Sequence, residues 1–551
     1  MTQEIRSRAW GLAASLLIAA FLARGPLYLS VFPPFEGWDE YQHLAYIVHL
    51  DETGTIPTYD TRVPLSLRPL VIGFPHSVPG AQQLTEWGAS SYADYWDTPR
   101  AAPSDVSSSP RLYQSQQPPL TYVLALPLWR GLKTSHPLEA IFAIRAINLL
   151  LVAAALALFA RALERLVPGF GARAAVLALV CLHPLFFQNV ARVANDGLAL
   201  ATGMAGLSVL ILADGRTLMA RGLLAAACLA ASNWSKQTSL TLIPALVLGL
   251  PLIGWAHGVS TQRVWRATGA AVGAFLLLIA PLWLWSYRHY GVLLMTQDAV
   301  ELAARGPVAS ALVTSFTTMA WRPVIGSLFF PGMSWVGGWS FLPIPGTLAN
   351  LYAWCWGVLL VAAGAAGAVA IVRRAGAIER SDLARLAVCA TVVVGTVLGM
   401  TYHALISNAI VGHATTTPWY FMTALPFLFV LVIRGLESID RRLAIAGAVA
   451  LAVVFAGTEL YGTWVEMPAA YTNTMDARLQ WRRLSAMHPA VLSGRLRWWF
   501  LATQLAALGL AAGGAAIAAA RARGAPSSGW PLATSPSRSA GAPAAAPRPP
   551  S

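Results

Sequence analysis

The tract Glu36-Gly37-Trp38-Asp39-Glu40-Tyr41-Gln42-His43 sets three carboxylates and an imidazole within eight residues. If a helix starts near Asp39, then Asp39 and His43 stand four apart on one face, with Glu36 near the helix entrance. Leu44, Ile47 and Val48 supply an apolar stripe, so the helix is expected to lie along a membrane surface. A carboxylate held against apolar side chains and lipid has its charged form destabilised, which raises its basicity and suits it to take a proton from a hydroxyl or amine. The same spacing also fits a structural role in which Asp39 and Glu40 cap the positive end of the helix. The spacing leaves both readings open.

The elements that must position these groups are membrane helices. The chain has 551 residues, 56% hydrophobic and 11% charged, with a mean hydropathy of +0.57, whereas a soluble domain carries about a quarter charged residues. A spanning helix needs about 20 apolar residues. Such stretches run over 9–31, 141–161, 172–191, 197–213, 217–235, 237–256, 266–287, 348–372, 385–406, 416–434, 443–462 and 498–520. The expected fold is therefore all-α and polytopic, with about twelve transmembrane helices (thirteen if 118–132 spans) and a large first extracytoplasmic loop carrying interfacial helices.

The net charge of +14 is carried almost wholly by arginine, since Lys133 and Lys236 are the only lysines. These residues sit in short clusters between apolar stretches, which reports orientation and argues against a nucleic-acid partner. Arg521 with Arg523, Arg434 with Arg441 and Arg442, and Arg373 with Arg374 and Arg380 are assigned to the cytoplasm, as are Arg263 with Arg266, Arg216 with Arg221, and Arg161, Arg165 and Arg173. Arg6 and Arg8 precede the apolar run Trp10 to Ala23, read as a retained signal anchor more readily than as a cleaved signal peptide because many spans follow. With both termini inside, the crossings must be even in number, so 118–132 is expected to be interfacial or partly inserted. Three external segments follow, 32–117, 288–347 and 463–497. The first holds ten carboxylates against four arginines, an excess that points to chemistry or cation binding because acids barely influence orientation. Residues 1–520 form the membrane domain, and 521–551 an Ala/Pro/Ser-rich cytoplasmic tail expected to be disordered. Cys181, Cys228, Cys355 and Cys389 lie in apolar stretches at spacings that match neither a disulfide framework nor a zinc site.

Trp38-Asp39-Glu40 after the first span, then Gln117-Pro118-Pro119-Leu120, Arg145 with Asn148, His183-Pro184, Asn195-Asp196 and Lys236, follow one another in an order that resembles the C superfamily (GT-C) of glycosyltransferases that use lipid-linked sugars. Protein O-mannosyltransferases and the aminoarabinose transferases of lipid A belong to it. The resemblance covers about the first half of the chain and rests on the order of the motifs. It implies a membrane glycosyltransferase of a bacterial cell membrane that moves a sugar from a polyprenyl-phosphate donor to an extracytoplasmic acceptor: a protein, a lipid or a cell-envelope glycan. It also implies Asp39 as general base with Glu40 as its partner.

Such a donor needs cations near its phosphate, because negative charge builds on the leaving oxygen. Lys236 is the foremost candidate, followed by Arg24 and Arg192, although snorkelling to the interface explains either arginine without function. Asp196 resembles the second acidic position of these enzymes and would orient the acceptor or bind a divalent cation, which some members use; equally, Asn195-Asp196-Gly197 is a good turn and helix start. His43 and Gln117 complete the expected substrate-binding set with Tyr420, before which related proteins often carry an arginine where this chain has Trp419. The aromatic, glycine-rich stretch Trp335 to Phe341 would cover the donor or stack on sugar, or form an interfacial aromatic belt. Competing readings are a transporter or lipid flippase and a non-catalytic scaffold. Carboxylates at span ends, such as Glu437 and Glu459, weigh against transport of a charged solute, which would call for acids or bases along the route.

Overall fold

Each of the twelve apolar stretches contains an α-helix in the computed structural model, which describes residues 3–97, 108–296, 300–301, 308–329, 332–374, 379–414 and 417–523. Among the described residues the only β-pairings are isolated bridges, and the chain is an all-α, polytopic membrane protein. Eight helices are long and apolar enough to cross a bilayer. The pair Phe170–Leu182 and Pro184–Val190, bent by 55°, is long and apolar enough only when taken together, as a broken span or a re-entrant turn. The bend falls where proline follows His183, which takes an extended conformation (φ −63°, ψ 121°) and accepts a 3.2 Å hydrogen bond from the Phe186 N–H through its own ring.

By length and apolar composition alone, eight or nine spans are assigned among the described residues, against the twelve expected. Asp196–Ile211 has 16 residues and Leu425–Glu437 has 13, so they reach only about 24 and 20 Å at ~1.5 Å per residue, short of a hydrocarbon core of about 30 Å. Leu218–Ser235 is longer, at 18 residues, but carries Arg221 and a polar Ser232-Asn233 end. The doubtful 118–132 stretch forms Leu120–Leu132, whose 13 residues include Pro127. The final helix, Leu496–Arg523, enters the expected 521–551 tail by three residues; 524–551 lie outside the described residues.

Gln3–Val31 packs along Leu496–Arg523, with Ala13 and Leu17 against Gly514. It also packs on Pro137–Leu166, where the Trp10 indole N–H donates to the Ala160 carbonyl (3.2 Å). Phe21, Tyr28, Phe186 and Phe187 meet edge-on or tilted at the bent pair, a geometry favoured by ring quadrupoles.

The described residues of the 32–117 segment, 32–97 and 108–117, fold over one end of the bundle as short helices, of which Glu40–Thr53 is the longest. This helix was expected on the membrane surface. It is instead covered by protein: every residue from Glu40 to Val48 is buried, and so is Leu50. The cause is that the apolar stripe meets Leu67, Val71, Leu84, Trp87, Ile141 and Ile144 in one cluster, while Tyr46 stacks on Tyr122 of Leu120–Leu132 at 3.9 Å. Asp51 clamps the same two helices together through Arg130 (2.8 Å) and Lys133. Gly54, at φ 68°, ends the helix by donating to the Leu50 carbonyl.

Candidate functional site

Asp39 stands immediately before the helix at φ 59°, ψ 16°, in the left-handed region, and its side chain makes no capping bond. Aspartate is among the few residues that tolerate this conformation, at a cost of roughly 1 kcal/mol. The turn aims its carboxylate away from the helix, toward the Tyr113–Gln116 segment. There the Tyr113 hydroxyl donates to Oδ1 and the Gln114 amide to Oδ2 (2.9 Å). Burial raises the Asp39 carboxyl above the usual carboxylate range, opposed by the Tyr113 hydrogen bond and the charges of Arg192 and Lys236. Of the four non-glycine residues with positive φ among those described, three (Phe35, Asp39 and Phe341) border this site.

Glu40, expected as the partner of Asp39, takes up a different task. Its carboxylate receives the fork of Arg145, with Nε at 2.7 Å from Oε1 and Nη2 on Oε2, and also the Val193 N–H at 2.7 Å. Arg145 spends its other donors on the carbonyls of Phe32 (2.9 Å) and Pro33 (2.8 Å). Both side chains are fully buried, so the pair is a strut joining the loop after the first helix, the Pro137–Leu166 helix and the 193 turn.

A second ion group faces Asp39. Asp196 opens its helix, accepting from Arg192 Nη2 (2.7 Å) through one oxygen and from Lys236 Nζ (2.5 Å) through the other. Gly197 must follow, because a Cβ there would lie 2.4 Å from Asn148 Cγ. Asn148 in turn donates to the Arg192 and Ala194 carbonyls (2.9 and 3.3 Å). Asn195 donates to Gln117 (2.9 Å) and to the Ser235 carbonyl (2.8 Å), tying the Gln117-Pro118-Pro119 turn to Lys236. Lys236 sits 5.0 Å from the Tyr420 ring centroid. With Asp196, Thr238, Ser239, Trp419 and Tyr420 it lines a small cleft.

Aromatic groups wall this region. Trp38 stacks on Trp419 at 4.6 Å, Arg192 lies 5.0 Å over the Trp38 ring, and Phe341 stacks on Trp419 at 6.1 Å. Trp419 thus occupies the place of the arginine expected before Tyr420 and contributes a ring face. His43 pairs with the Tyr122 hydroxyl through Nδ1 (2.8 Å). Burial, assisted by the charge of Arg192, holds its pKa well below the ordinary histidine value, so the ring is neutral.

Glu36 closes the site from the other side. Its carboxylate accepts the Ser340 N–H (2.7 Å) and the Tyr92 hydroxyl (2.8 Å), and its carbonyl accepts the Trp339 N–H (2.7 Å). Burial pushes the Glu36 carboxyl up to about 7 against these hydrogen bonds. The 335–342 loop that it grips is closed by paired hydrogen bonds between Val336 and Leu342. Only glycine fits at 338, where a Cβ would sit 2.1 Å from the Glu36 carbonyl oxygen.

The structure therefore brings Asp39, Asp196, Lys236, Arg192, Gln117, His43 and Tyr420 to one end of the bundle. Arg24 stands apart, doubly bound to Glu459 and to the Cys181 carbonyl. Sequence reasoning missed Tyr113 and Gln114, which hold Asp39, and the clasp made by Glu36; the signal available was that Tyr113 and Gln114 directly precede the Gln117-Pro118-Pro119 motif. A divalent cation does not fit these residues. Among the described residues no group of three or more His, Cys, Asp or Glu side chains is arranged to hold one, and both Asp196 oxygens already face cations.

A bundle of membrane-crossing helices with a buried carboxylate, two cations and an aromatic wall gathered at one end defines an integral membrane protein with a polar site built from its loops. The chain belongs to the family of predicted membrane proteins DUF2142, whose sequence profile matches residues 25–413 and so covers the tract from Trp38 to Lys236. No curated protein matches the sequence.

Among solved structures it is similar to the apo oligosaccharyltransferase of Archaeoglobus fulgidus (TM-score 0.43, 13% identity, 84% of this chain and 56% of that one). It is also similar to ArnT from Cupriavidus metallidurans bound to undecaprenyl phosphate (TM-score 0.40, 12% identity, 92% and 76%). A third is the A. fulgidus oligosaccharyltransferase AglB with an inhibitory peptide and a dolichol-phosphate (TM-score 0.42, 12% identity, 85% and 56%). The aligned part of this chain spans just over half the length of the oligosaccharyltransferase, 56%.

Proposed function

We propose that this chain is a membrane glycosyltransferase that moves a sugar from a polyprenyl-phosphate donor to an extracytoplasmic acceptor hydroxyl or amine on a protein, lipid or cell-envelope glycan, with Asp39 as general base. One arrangement carries the reading: a half-buried carboxylate of raised basicity, with no ion-pair partner among the described residues, stands near the Arg192–Asp196–Lys236 group, of which Asp196 and Lys236 line a small cleft. Asp39 takes the proton of the acceptor O–H or N–H as that atom bonds to the anomeric carbon. The bond from that carbon to the phosphate oxygen breaks, and its electron pair leaves with the polyprenyl phosphate, whose growing charge Lys236 and Arg192 offset. Trp419, backed by Trp38, and Tyr420 offer faces for the sugar, while His43 and Gln117 shape the acceptor side. Glu40 acts through Arg145 to hold Asp39 in place.

The arginine clusters between spans support an orientation with both termini in the cytoplasm and this site on the outer face of a bacterial cell membrane. A long isoprenoid stays in the bilayer, so transfer at the membrane surface meets donor and acceptor together. The test is sugar release from a panel of polyprenyl-phosphate hexoses and pentoses by wild type and Asp39→Asn in proteoliposomes. Asparagine keeps the left-handed turn and an oxygen for the Tyr113 hydroxyl, and its amide can meet the Gln114 side chain if that amide turns over, but it cannot take the proton, so the rate should fall about 10²–10⁴-fold with folding intact. Equal rates would overturn the assignment of the base.

A further inference from the structure

We infer that the 463–497 segment forms a binding surface for the headgroups of anionic phospholipids, on the side of the membrane that holds Asp39. The segment carries five arginines (Arg478, Arg482, Arg483, Arg495, Arg497) against two acids, Glu466 and Asp476. Both acids are engaged: Asp476 caps the Ala477–Ala486 helix, and Glu466 accepts from the Tyr461 hydroxyl. Arg483 is also spent, on Asp97 (3.5 Å), the Thr472 carbonyl and the Trp96 ring. The remaining four, Arg478, Arg482, Arg495 and Arg497, are exposed, and their side chains have no ion-pair or hydrogen-bond partner among the described residues.

Packing brings these four to one place. Arg478 and Arg482 are four apart on the outer face of Ala477–Ala486, while Trp481 turns inward onto Phe500 of the last helix, ring centroids 5.1 Å apart. Arg495 and Arg497 flank the start of that helix, where the candidate span begins at Leu496. Trp498 and Trp499 follow at once, 71% and 49% exposed, as tryptophans do at the headgroup level of a bilayer. Free guanidinium groups around exposed indoles at a span end match a phosphate diester whose acyl chains lie beside the helix. Asp97 links this surface to the first loop through Arg483 and Asn473, so it shares the membrane face of Asp39. A soluble polyanion would not need the tryptophans.

The experiment measures the thermal unfolding midpoint of the full chain in neutral detergent, with added phosphatidylglycerol, phosphatidylcholine, farnesyl phosphate or soluble polyphosphate. Wild type should gain stability with phosphatidylglycerol over phosphatidylcholine, less so in 0.5 M salt, about the condition at which surface charges are screened within a few Å. The variant Arg478→Gln/Arg482→Gln/Arg495→Gln/Arg497→Gln should lose most of that gain, at about five-fold in lipid affinity per arginine, while the four Lys replacements keep most of it. If the fourfold variant does not fold, the pairs 478/482 and 495/497 are read separately, each expected to lose part of the gain. Equal response to both phospholipids, an undiminished response in the variants, a farnesyl phosphate response that falls in the variants as the phosphatidylglycerol response does, or a response to polyphosphate that matches phosphatidylglycerol would each overturn the inference.

Discussion

Replacing Arg145 with methionine leaves the Glu40 carboxylate in the protein interior with the Val193 N–H at 2.7 Å and the Gly37 N–H at 3.4 Å, but with no cation. Breaking a buried pair from one side costs about 3–5 kcal/mol, because the surviving charge is neither solvated nor balanced. The carbonyls of Phe32 and Pro33, which accept from Arg145 at 2.9 and 2.8 Å, lose their donor as well. Against a folding free energy of roughly 5–15 kcal/mol, this single change should remove about a fifth or more of the stability. Adding Glu40→Gln to Arg145→Met removes the orphaned charge yet keeps an oxygen for the Val193 N–H, so the double variant should recover about 1.5–3 kcal/mol of coupling energy. The assay is reversible unfolding in lipid–detergent mixed micelles, run as a double-mutant cycle. A cost for Arg145→Met below about 1 kcal/mol, far under the usual cost of a broken buried pair, or no recovery in the double variant, would refute the strut. Transfer by folded Glu40→Gln reads the same question chemically. A strut predicts a loss within about ten-fold, and a proton-transfer partner about 10²-fold or more.

Glu36 offers a pH test. Its carboxyl titrates at about 7 in the folded protein, above the ordinary 4.5, so the fold favours the protonated form. Its contribution is complete below pH 4.5 and is lost as pH rises through about 7, a change of roughly 3 kcal/mol. Glu36→Gln should flatten the unfolding midpoint across that window; an unaltered slope would remove Glu36 as its source. Gly338→Ala drives a methyl into the Glu36 carbonyl and should cost about 1–3 kcal/mol, whereas Gly364→Ala, which meets nothing within 4 Å, should leave the melting curve in place. Lys236→Met removes one of the two cations on Asp196 and should weaken farnesyl phosphate binding about ten-fold or more, read by the fluorescence of Trp38 and Trp419; unchanged affinity would remove Lys236 from the phosphate site.

What the sequence revealed follows from how local each signal is. Apolar length is a property of one segment, so every helical stretch was legible, while the helices Asp196–Ile211 and Leu425–Glu437 are shorter than their apolar stretches, because turns and loops consume residues that hydropathy assigns to the bilayer. Asp39 was legible because acid, aromatic and histidine fall within one turn. The roles of Glu40 and Arg24 were not, since each depends on a partner more than a hundred residues away, Arg145 and Glu459. The expected surface helix at 40–53 failed for a related reason. An apolar stripe reports that a face is covered, and whether lipid or protein covers it depends on Tyr122, Trp87 and Ile141 arriving from other segments.

The division of charge favours Asp39 as the proposed base among three acids set within five residues. Glu40 is neutralised by a guanidinium fork and Asp196 by two cations, so protonating either would forfeit ion pairs the fold depends on. Glu36 is raised to about 7 but is gripped by the 335–342 loop, and a proton taken there would be held away from the cleft. Asp39 accepts from the neutral side chains of Tyr113 and Gln114, each able to stay in place while the carboxylate gains a proton. The strained left-handed turn keeps it from the one stabilising alternative open to it, the end of its own helix. A carboxylate so held has its basicity raised by burial and its position set by neutral groups, and that pairing is what proton abstraction at a membrane surface requires.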